Sequence, residues 1–125
     1  MADWKPDRYL IDQGRDPKVE VEGYTKDGLG VHHHTLIADA WVITHLNSGL
    51  RVMEVYGDSF EDVLIYLNEV VRSADWTSLV KSDPKNPAHQ ALALRCTQIR
   101  NTNFSDHEDR LRAQQSGALT GGHLQ

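Results

Sequence analysis

The stretch "AWVITHLNSGLRVMEV", from Ala40 to Val55, constrains the fold more than any other part of the chain. Two runs rich in β-branched and aromatic residues flank Asn47-Ser48-Gly49, a pattern that predicts a β-hairpin. Gly49 suits the end of a three-residue loop, because glycine reaches positive φ without penalty. The loop then aligns Trp41 with Val55, Ile43 with Met53, and His45 with Arg51. A two-residue loop would separate the large apolar residues, so we predict the longer one.

Two segments upstream also have strand patterns. Lys18–Tyr24 alternates apolar and charged residues, which is the period of a half-buried strand. Val31–Ile37 is rich in β-branched residues, and Asp27-Gly28 between the two segments is a strong turn signal. Residues 1–17 mix apolar residues with charges and helix breakers, which indicates an N-terminal arm.

The segment "GDSFEDVLIYLNEVVRSADW" predicts an amphipathic helix with Ser59 or Asp58 as its N-cap. Its apolar stripe comprises Phe60, Val63, Leu64, Leu67, Val70, Val71 and Ala74. A second helix is predicted over about residues 88–101, with Pro87 in its first turn. Ser105 and Glu108 have capping-box spacing for a further short helix, and the Gly-rich end is expected to be a flexible tail.

These elements predict an α+β fold, in which one long amphipathic helix packs on a small antiparallel sheet of three to four strands and a second helix follows. We expect an N-terminal arm with a first strand over residues 1–27, a compact core over residues 28–103, and a polar tail over residues 104–125. A chain of 125 residues has the length of one domain.

Charge is distributed unevenly along the chain, and this distribution limits the kinds of molecule that the protein is expected to bind. The chain has a net charge of −5, and residues 54–76 hold one basic residue, Arg72, against six acidic ones. Nucleic-acid binding requires clustered lysine and arginine, so we expect no direct binding of DNA or RNA. No apolar run has the length of a membrane span and no signal peptide is evident, so we expect a cytoplasmic protein. The single cysteine, Cys96, is expected to be a small buried side chain.

Four of the seven histidines lie between Gly30 and Val55. In a strand, His32 and His34 point to one face, and His45 on a neighbouring strand could complete three metal ligands. The alternative is a polar strand face without a metal, because alternation alone places such histidines together.

A second hypothesis places an anion near the end of the hairpin. His45, Arg51 and Thr44 would supply hydrogen-bond donors for a small anionic ligand. The alternative is that these side chains are simply solvated at a hairpin tip.

An interaction site is predicted on the acidic helix, where Glu61, Asp62 and Glu69 could bind a protein partner with a basic surface. Trp4 is a further candidate, since an arm carrying a tryptophan can dock onto its own body or onto another subunit. A second copy of the chain is therefore an alternative partner. The sequence contains no catalytic motif and no cofactor fingerprint, so we expect a non-catalytic protein without a cofactor.

The "WVITHLNSG" hairpin followed by a helix that ends in "DW" resembles small accessory proteins of phages and plasmids. The resemblance covers about half of the chain and includes no catalytic motif. It implies an interaction or inhibitory protein of a phage or mobile element, for example one that acts on a host defence complex.

Overall fold

The computed structural model describes residues 4–14, 17–79, 83 and 85–124, with side chains of the last helix described through residue 115. Its described part contains five antiparallel strands in sequence order and two helices, which confirms the α+β fold with one strand more than predicted. The strands are β1 Lys5–Ile11, β2 Val19–Lys26, β3 Leu29–His33, β4 Ala40–His45 and β5 Arg51–Tyr56. The helices are α1 Phe60–Arg72 and α2 Pro87–Leu124. Among the described residues, no helix is both long and apolar enough to cross a membrane.

The additional strand lies in the predicted N-terminal arm. β1 pairs with β2 along its whole length, from Lys5 opposite Thr25 to Ile11 opposite Val19. Its position at the edge of the sheet tolerates Pro6, which cannot donate a ladder hydrogen bond. Most of its side chains remain exposed, and this explains the weak strand pattern in the sequence.

The β4–β5 hairpin confirms the predicted pairing of Trp41 with Val55 and of Ile43 with Met53. Gly49 has φ 76°, as the turn requires. The predicted pairing of His45 with Arg51 is wrong, because Arg51 lies opposite Thr44.

The difference arises from a longer loop and a bulge. The His45 amide donates to the Leu50 carbonyl at 2.9 Å and the Gly49 amide donates to the His45 carbonyl at 2.7 Å, which closes a four-residue loop. The register shifts between Ile43 and Thr44, where Val52 is the extra residue of β5. The bulge therefore preserves the apolar pairs while changing the pairing at the hairpin end.

α1 has Ser59 as its N-cap, one of the two residues that the sequence predicted for this position. The Ser59 side chain accepts a hydrogen bond from the Asp62 amide at 3.3 Å, and Glu61 and Asp62 occupy the first turn. The apolar stripe of the helix packs on one face of the sheet. That core includes Leu29, Val31, Ile43, Met53, Val55, Phe60, Val63, Leu67 and Val70.

The β1–β2 hairpin folds across the opposite face of the sheet. Tyr9 lies directly on Gly30, where an added Cβ would come within 2.6 Å of the tyrosine ring. The Asp12 amide donates to the Gly49 carbonyl at 2.8 Å, which ties the end of β1 to the β4–β5 loop. The small sheet is thus covered on both faces, by α1 on one and by Tyr9 on the other.

α2 packs against β5 and α1 and spans 38 residues, a length of about 57 Å at about 1.5 Å per residue. Pro87 is its first residue, as predicted. The helix continues beyond Asn101, where the sequence predicts its end, because Asn103 and His107 are buried against the sheet. The side chains of the predicted flexible tail from residue 116, and parts of the predicted loop Lys81–Pro87, lie outside the described residues.

Candidate functional site

His45 connects the end of the hairpin to the segment that follows α1. The side chain is 6% exposed, and its Nε2 donates to the Trp76 carbonyl at 3.0 Å. Its Nδ1 then accepts a hydrogen bond from the Ser48 hydroxyl at 2.9 Å. Both ring nitrogens are occupied by partners within the chain, so His45 holds the loop in place.

His32 lies on the other face of the sheet, beneath Tyr9. The Tyr9 hydroxyl lies 3.3 Å from His32 Nδ1, and the histidine side chain is buried. Burial lowers the pKa of His32 below its ordinary value, and the positive charges of His34, Arg51 and His33 lower it further. Burial likewise raises the pKa of Tyr9.

His34 follows β3 rather than belonging to it, although the sequence predicts a strand through residue 37. Its Nδ1 accepts hydrogen bonds from the amides of Leu36 and Ile37 at 3.0 and 3.1 Å. Its Nε2 lies 4.0 Å from a Glu54 carboxylate oxygen.

The three predicted metal ligands are therefore not brought together: His45 reaches across to Trp76, whereas His32 lies under Tyr9 on the opposite face. Within the described ranges, no group of three or more histidine, cysteine or acidic side chains is arranged to hold a metal ion. The hairpin histidines have individual structural contacts instead.

The three residues of the predicted anion site have different surroundings. His45 and Arg51 both line a cleft of about 470 Å³ between the β4–β5 hairpin and the first half of α2, which we call the α2–β5 cleft. Thr44 is 1% exposed and does not line the cleft. Arg51 is exposed, and its Nη1 donates to Glu54.

Two basic residues of the cleft come from α2 and were missed in the sequence. His89 Nδ1 accepts a hydrogen bond from the Asp83 amide at 2.8 Å, so the proton of a neutral ring is on Nε2. Arg100 is exposed and forms no ion pair within the part of the chain that the structure describes. His89, Ala93, Cys96 and Arg100 recur at steps of four, three and four residues, a helical spacing that could have indicated a shared face.

The base of the α2–β5 cleft is apolar. Trp76, Met53 and Cys96 are each less than one tenth exposed and contribute to it, together with Val52, Leu79 and Leu92. Burial raises the pKa of the Cys96 thiol, as expected for a small buried side chain rather than a reactive one.

The exposed side of α1 has an apolar side chain among acids. Ile65 is 62% exposed and lies one helical turn from both Glu61 and Glu69. We call the surface formed by Asp58, Glu61, Ile65 and Glu69 the α1 acidic face. Asp62 is directed elsewhere, since its carboxylate lies 3.6 Å from Arg110 Nη1 of α2.

Trp4 docks onto its own protein body, one of the two arrangements that the sequence left open. Its side chain is 4% exposed, and its ring lies edge-on to Phe60 at 6.2 Å between ring centroids. Its Nε1 donates to Asn68 Oδ1 at 3.0 Å. In this arrangement Trp4 offers almost no surface to a partner.

A histidine–aspartate pair not anticipated from the sequence links α2 to the start of β4. His107 Nε2 donates to Asp39 Oδ2 at 2.8 Å, and the histidine ring stacks on Tyr56. His107 Nδ1 is buried and has no hydrogen-bond partner among the described residues. The pair is therefore a contact between α2 and the sheet.

No family model matches this chain, and the comparisons with curated proteins and with solved structures find no significant match. The fold and the sites define it as a small α+β protein with a cleft of ligand size and an acidic helix face.

Proposed function

We propose that this protein is a non-catalytic interaction protein that binds a basic protein partner through the α1 acidic face. The observation that supports this most is the exposure of Ile65 between Glu61 and Glu69. Interfaces commonly place an apolar anchor at the centre and charged groups around it. A buried role in the fold does not explain Ile65, because the opposite side of α1 forms the core.

Charge supports the same surface. Residues 54–76 account for a net charge of −5, as large as that of the whole chain. Such a concentration of acids accelerates encounter with a basic partner and makes the association dependent on salt. Asp62 belongs to the acidic helix but contributes less to this surface, since Arg110 lies beside it.

We extend the proposal to the biological context that the "WVITHLNSG…DW" resemblance implies, an accessory or inhibitory protein of a phage or mobile element. A host defence complex with a basic surface would be a suitable target. A second copy of this chain is the alternative partner, and native mass spectrometry of the purified protein distinguishes a self-associating chain from a monomer.

The experiment is affinity capture from a host extract, followed by reconstitution with the purified partner in titration calorimetry. The charge-reversal variant Glu61→Lys/Glu69→Lys should weaken binding and flatten its salt dependence. Ile65→Ser should weaken binding about tenfold or more, the equivalent of losing one buried aliphatic contact, with little change in the salt dependence.

A matched control reverses two acids elsewhere. Glu20 and Glu22 are exposed on β2, outside the α1 acidic face, where they lie beside Arg8. Glu20→Lys/Glu22→Lys should leave the partner affinity close to that of the wild type. If both α1 variants bind the partner as tightly as this control does, the α1 acidic face is not the interface.

A further inference from the structure

We propose that the α2–β5 cleft binds a small organic anion, a carboxylate attached to an alkyl chain or an aromatic ring. This site goes beyond the interaction proposed for the α1 acidic face and uses different residues. Its volume of about 470 Å³ falls within the range of about 300–1,000 Å³ that small-ligand pockets occupy.

The apolar base of the cleft specifies the body of the ligand. Trp76, Met53 and Cys96 are packed into the protein, so they form a fixed floor that does not need to be built on binding. An alkyl chain or ring placed against these side chains would be removed from water, which is favourable in proportion to the apolar area buried.

The polar side chains around this base specify a negative head group. Arg51, Arg100 and His89 line the cleft, and none of its described lining residues is acidic. The chain as a whole has a net charge of −5, so a cluster of basic side chains without acids is a local departure from its overall charge.

The partners of these side chains indicate a single negative charge. Arg51 already shares its charge with Glu54, whereas Arg100 has no carboxylate partner in the described ranges. His89 has Nδ1 committed to the Asp83 amide, which leaves its Nε2–H as a donor. His89 and Arg100 lie eleven residues apart on α2, about 16 Å along the helix axis, so they line different ends of the cleft. Arg100 is therefore the donor for the carboxylate, and charge-assisted bonds of this kind are strong.

The test is a titration of the ¹⁵N-labelled protein with octanoate, monitored by two-dimensional NMR, with 1-octanol and octylammonium as matched probes. The chain has three tryptophans, and their indole N–H signals can be assigned by substitution. Octanoate should shift the Trp76 signal along a one-site curve that saturates at or below millimolar octanoate. The Trp4 signal should stay in place, because Trp4 packs on Phe60 away from the cleft.

Variants on exposed positions of α2 locate the site without disturbing the core. Arg100→Gln should weaken octanoate binding about tenfold through loss of a charge-assisted contact. Ala93→Phe should abolish binding by filling the cleft, since Ala93 lines it. Arg112→Gln and Ala91→Phe are the matched controls, since both positions are exposed on the same helix and neither lines the cleft.

Three outcomes would overturn the proposal. The first is 1-octanol or octylammonium binding as tightly as octanoate, because the head group would then not be recognised as an anion. The second is octanoate binding that survives Ala93→Phe, which would place the ligand elsewhere. The third is a titration that shows no saturation at millimolar octanoate.

Discussion

Asn103 is the residue whose replacement tests the packing of α2 on the sheet most directly. Its side chain is fully buried, and its Oδ1 accepts a hydrogen bond from the Tyr56 amide at 2.7 Å. Its Nδ2 donates to the Tyr56 carbonyl at 3.0 Å. One side-chain amide thus satisfies both backbone groups of the last residue of β5, on the edge where no further strand pairs with it.

Asn103→Ala should lower the free energy of unfolding by about 2 kcal/mol. Two lost hydrogen bonds cost about 1–1.5 kcal/mol each when their backbone partners stay buried. Alanine recovers about 0.6 kcal/mol through its better helix propensity. Asn103→Asp should be at least as harmful, because a carboxylate can accept from the Tyr56 amide but cannot donate to its carbonyl.

Urea unfolding followed by circular dichroism measures this cost, with Asn101→Ala as the matched control. Asn101 is exposed on the same helix, so its replacement retains only the propensity gain and should stabilise the protein slightly. The two alanine variants should therefore differ by about 2–3 kcal/mol, from the hydrogen-bond term alone. A difference below about 0.5 kcal/mol, the scatter of ordinary surface substitutions, would refute the role assigned to Asn103.

Three further perturbations test other contacts of the fold. The folded-state pKa of His32 is lowered from 6.5, so the unfolded chain binds a proton at this residue more readily than the folded chain does. The neutral His32 ring therefore contributes to the free energy of unfolding above pH 6.5, and this contribution is lost as the pH falls below about 6.5. In urea unfolding at several pH values, the free energy of unfolding of His32→Gln should fall less below pH 6.5 than that of the wild type. The same pH dependence in both proteins would contradict this prediction. Trp4→Phe should cost about 1 kcal/mol through the lost bond to Asn68, whereas Trp4→Ala should cost about 3–5 kcal/mol; equal costs would show that the ring does not pack in the core. Gly30→Ala should displace the Tyr9 ring and destabilise the protein by about 1–3 kcal/mol, as overpacking does, and a crystal structure with Tyr9 unmoved would rule this out.

The sequence predicted those elements whose side-chain periodicity matches their burial. α1 has a continuous apolar stripe, and local chemistry alone limited its N-cap to Ser59 or Asp58, of which the structure has Ser59. The pairs Trp41–Val55 and Ile43–Met53 were also predicted, because apolar residues on one face of a hairpin select the register. Local pattern and tertiary packing agree in these elements.

The features that the sequence did not predict depend on contacts between distant segments. β1 lacks a clear alternation because it lies at an edge, and its Tyr9 covers Gly30 from across the sheet. The bulge at Val52 has no propensity signal, and it moves Arg51 from His45 to Thr44. The continuation of α2 past Asn101 depends on the backbone of Tyr56, which no local pattern can reveal.

Two of the residues that line the cleft were anion-site candidates in the sequence. His45 and Arg51 were selected as neighbours on a hairpin, and both line the cleft despite the error in their pairing. Arg100 and His89 lie on a separate helix, and their approach to the hairpin is determined by the packing of α2 on β5. A sequence can show that two residues share a helix face, but not which strand that face contacts.

Trp76 contacts three parts of the structure, and its hydrogen bond with His45 gives that histidine a structural role. Its indole Nε1 donates to the Val70 carbonyl at 2.8 Å, which satisfies a carbonyl at the end of α1. Its own carbonyl accepts from His45, and its ring lines the α2–β5 cleft. The hairpin loop, the end of α1 and the cleft are therefore connected through one residue.

This connection predicts that His45→Ala reduces the stability of the protein. The change leaves the buried Trp76 carbonyl without its donor and removes the Ser48 contact, at a cost of about 1–3 kcal/mol. Ser48→Ala removes the His45 contact and the hydrogen bond that the Ser48 hydroxyl accepts from the Leu50 amide at 3.1 Å. It leaves the Trp76 carbonyl with its donor, so it should cost less than His45→Ala. Urea unfolding orders the two variants, and the Trp76 indole signal in NMR should shift in His45→Ala but not in Ser48→Ala. Wild-type stability in His45→Ala would show that the bond to Trp76 does not hold the hairpin.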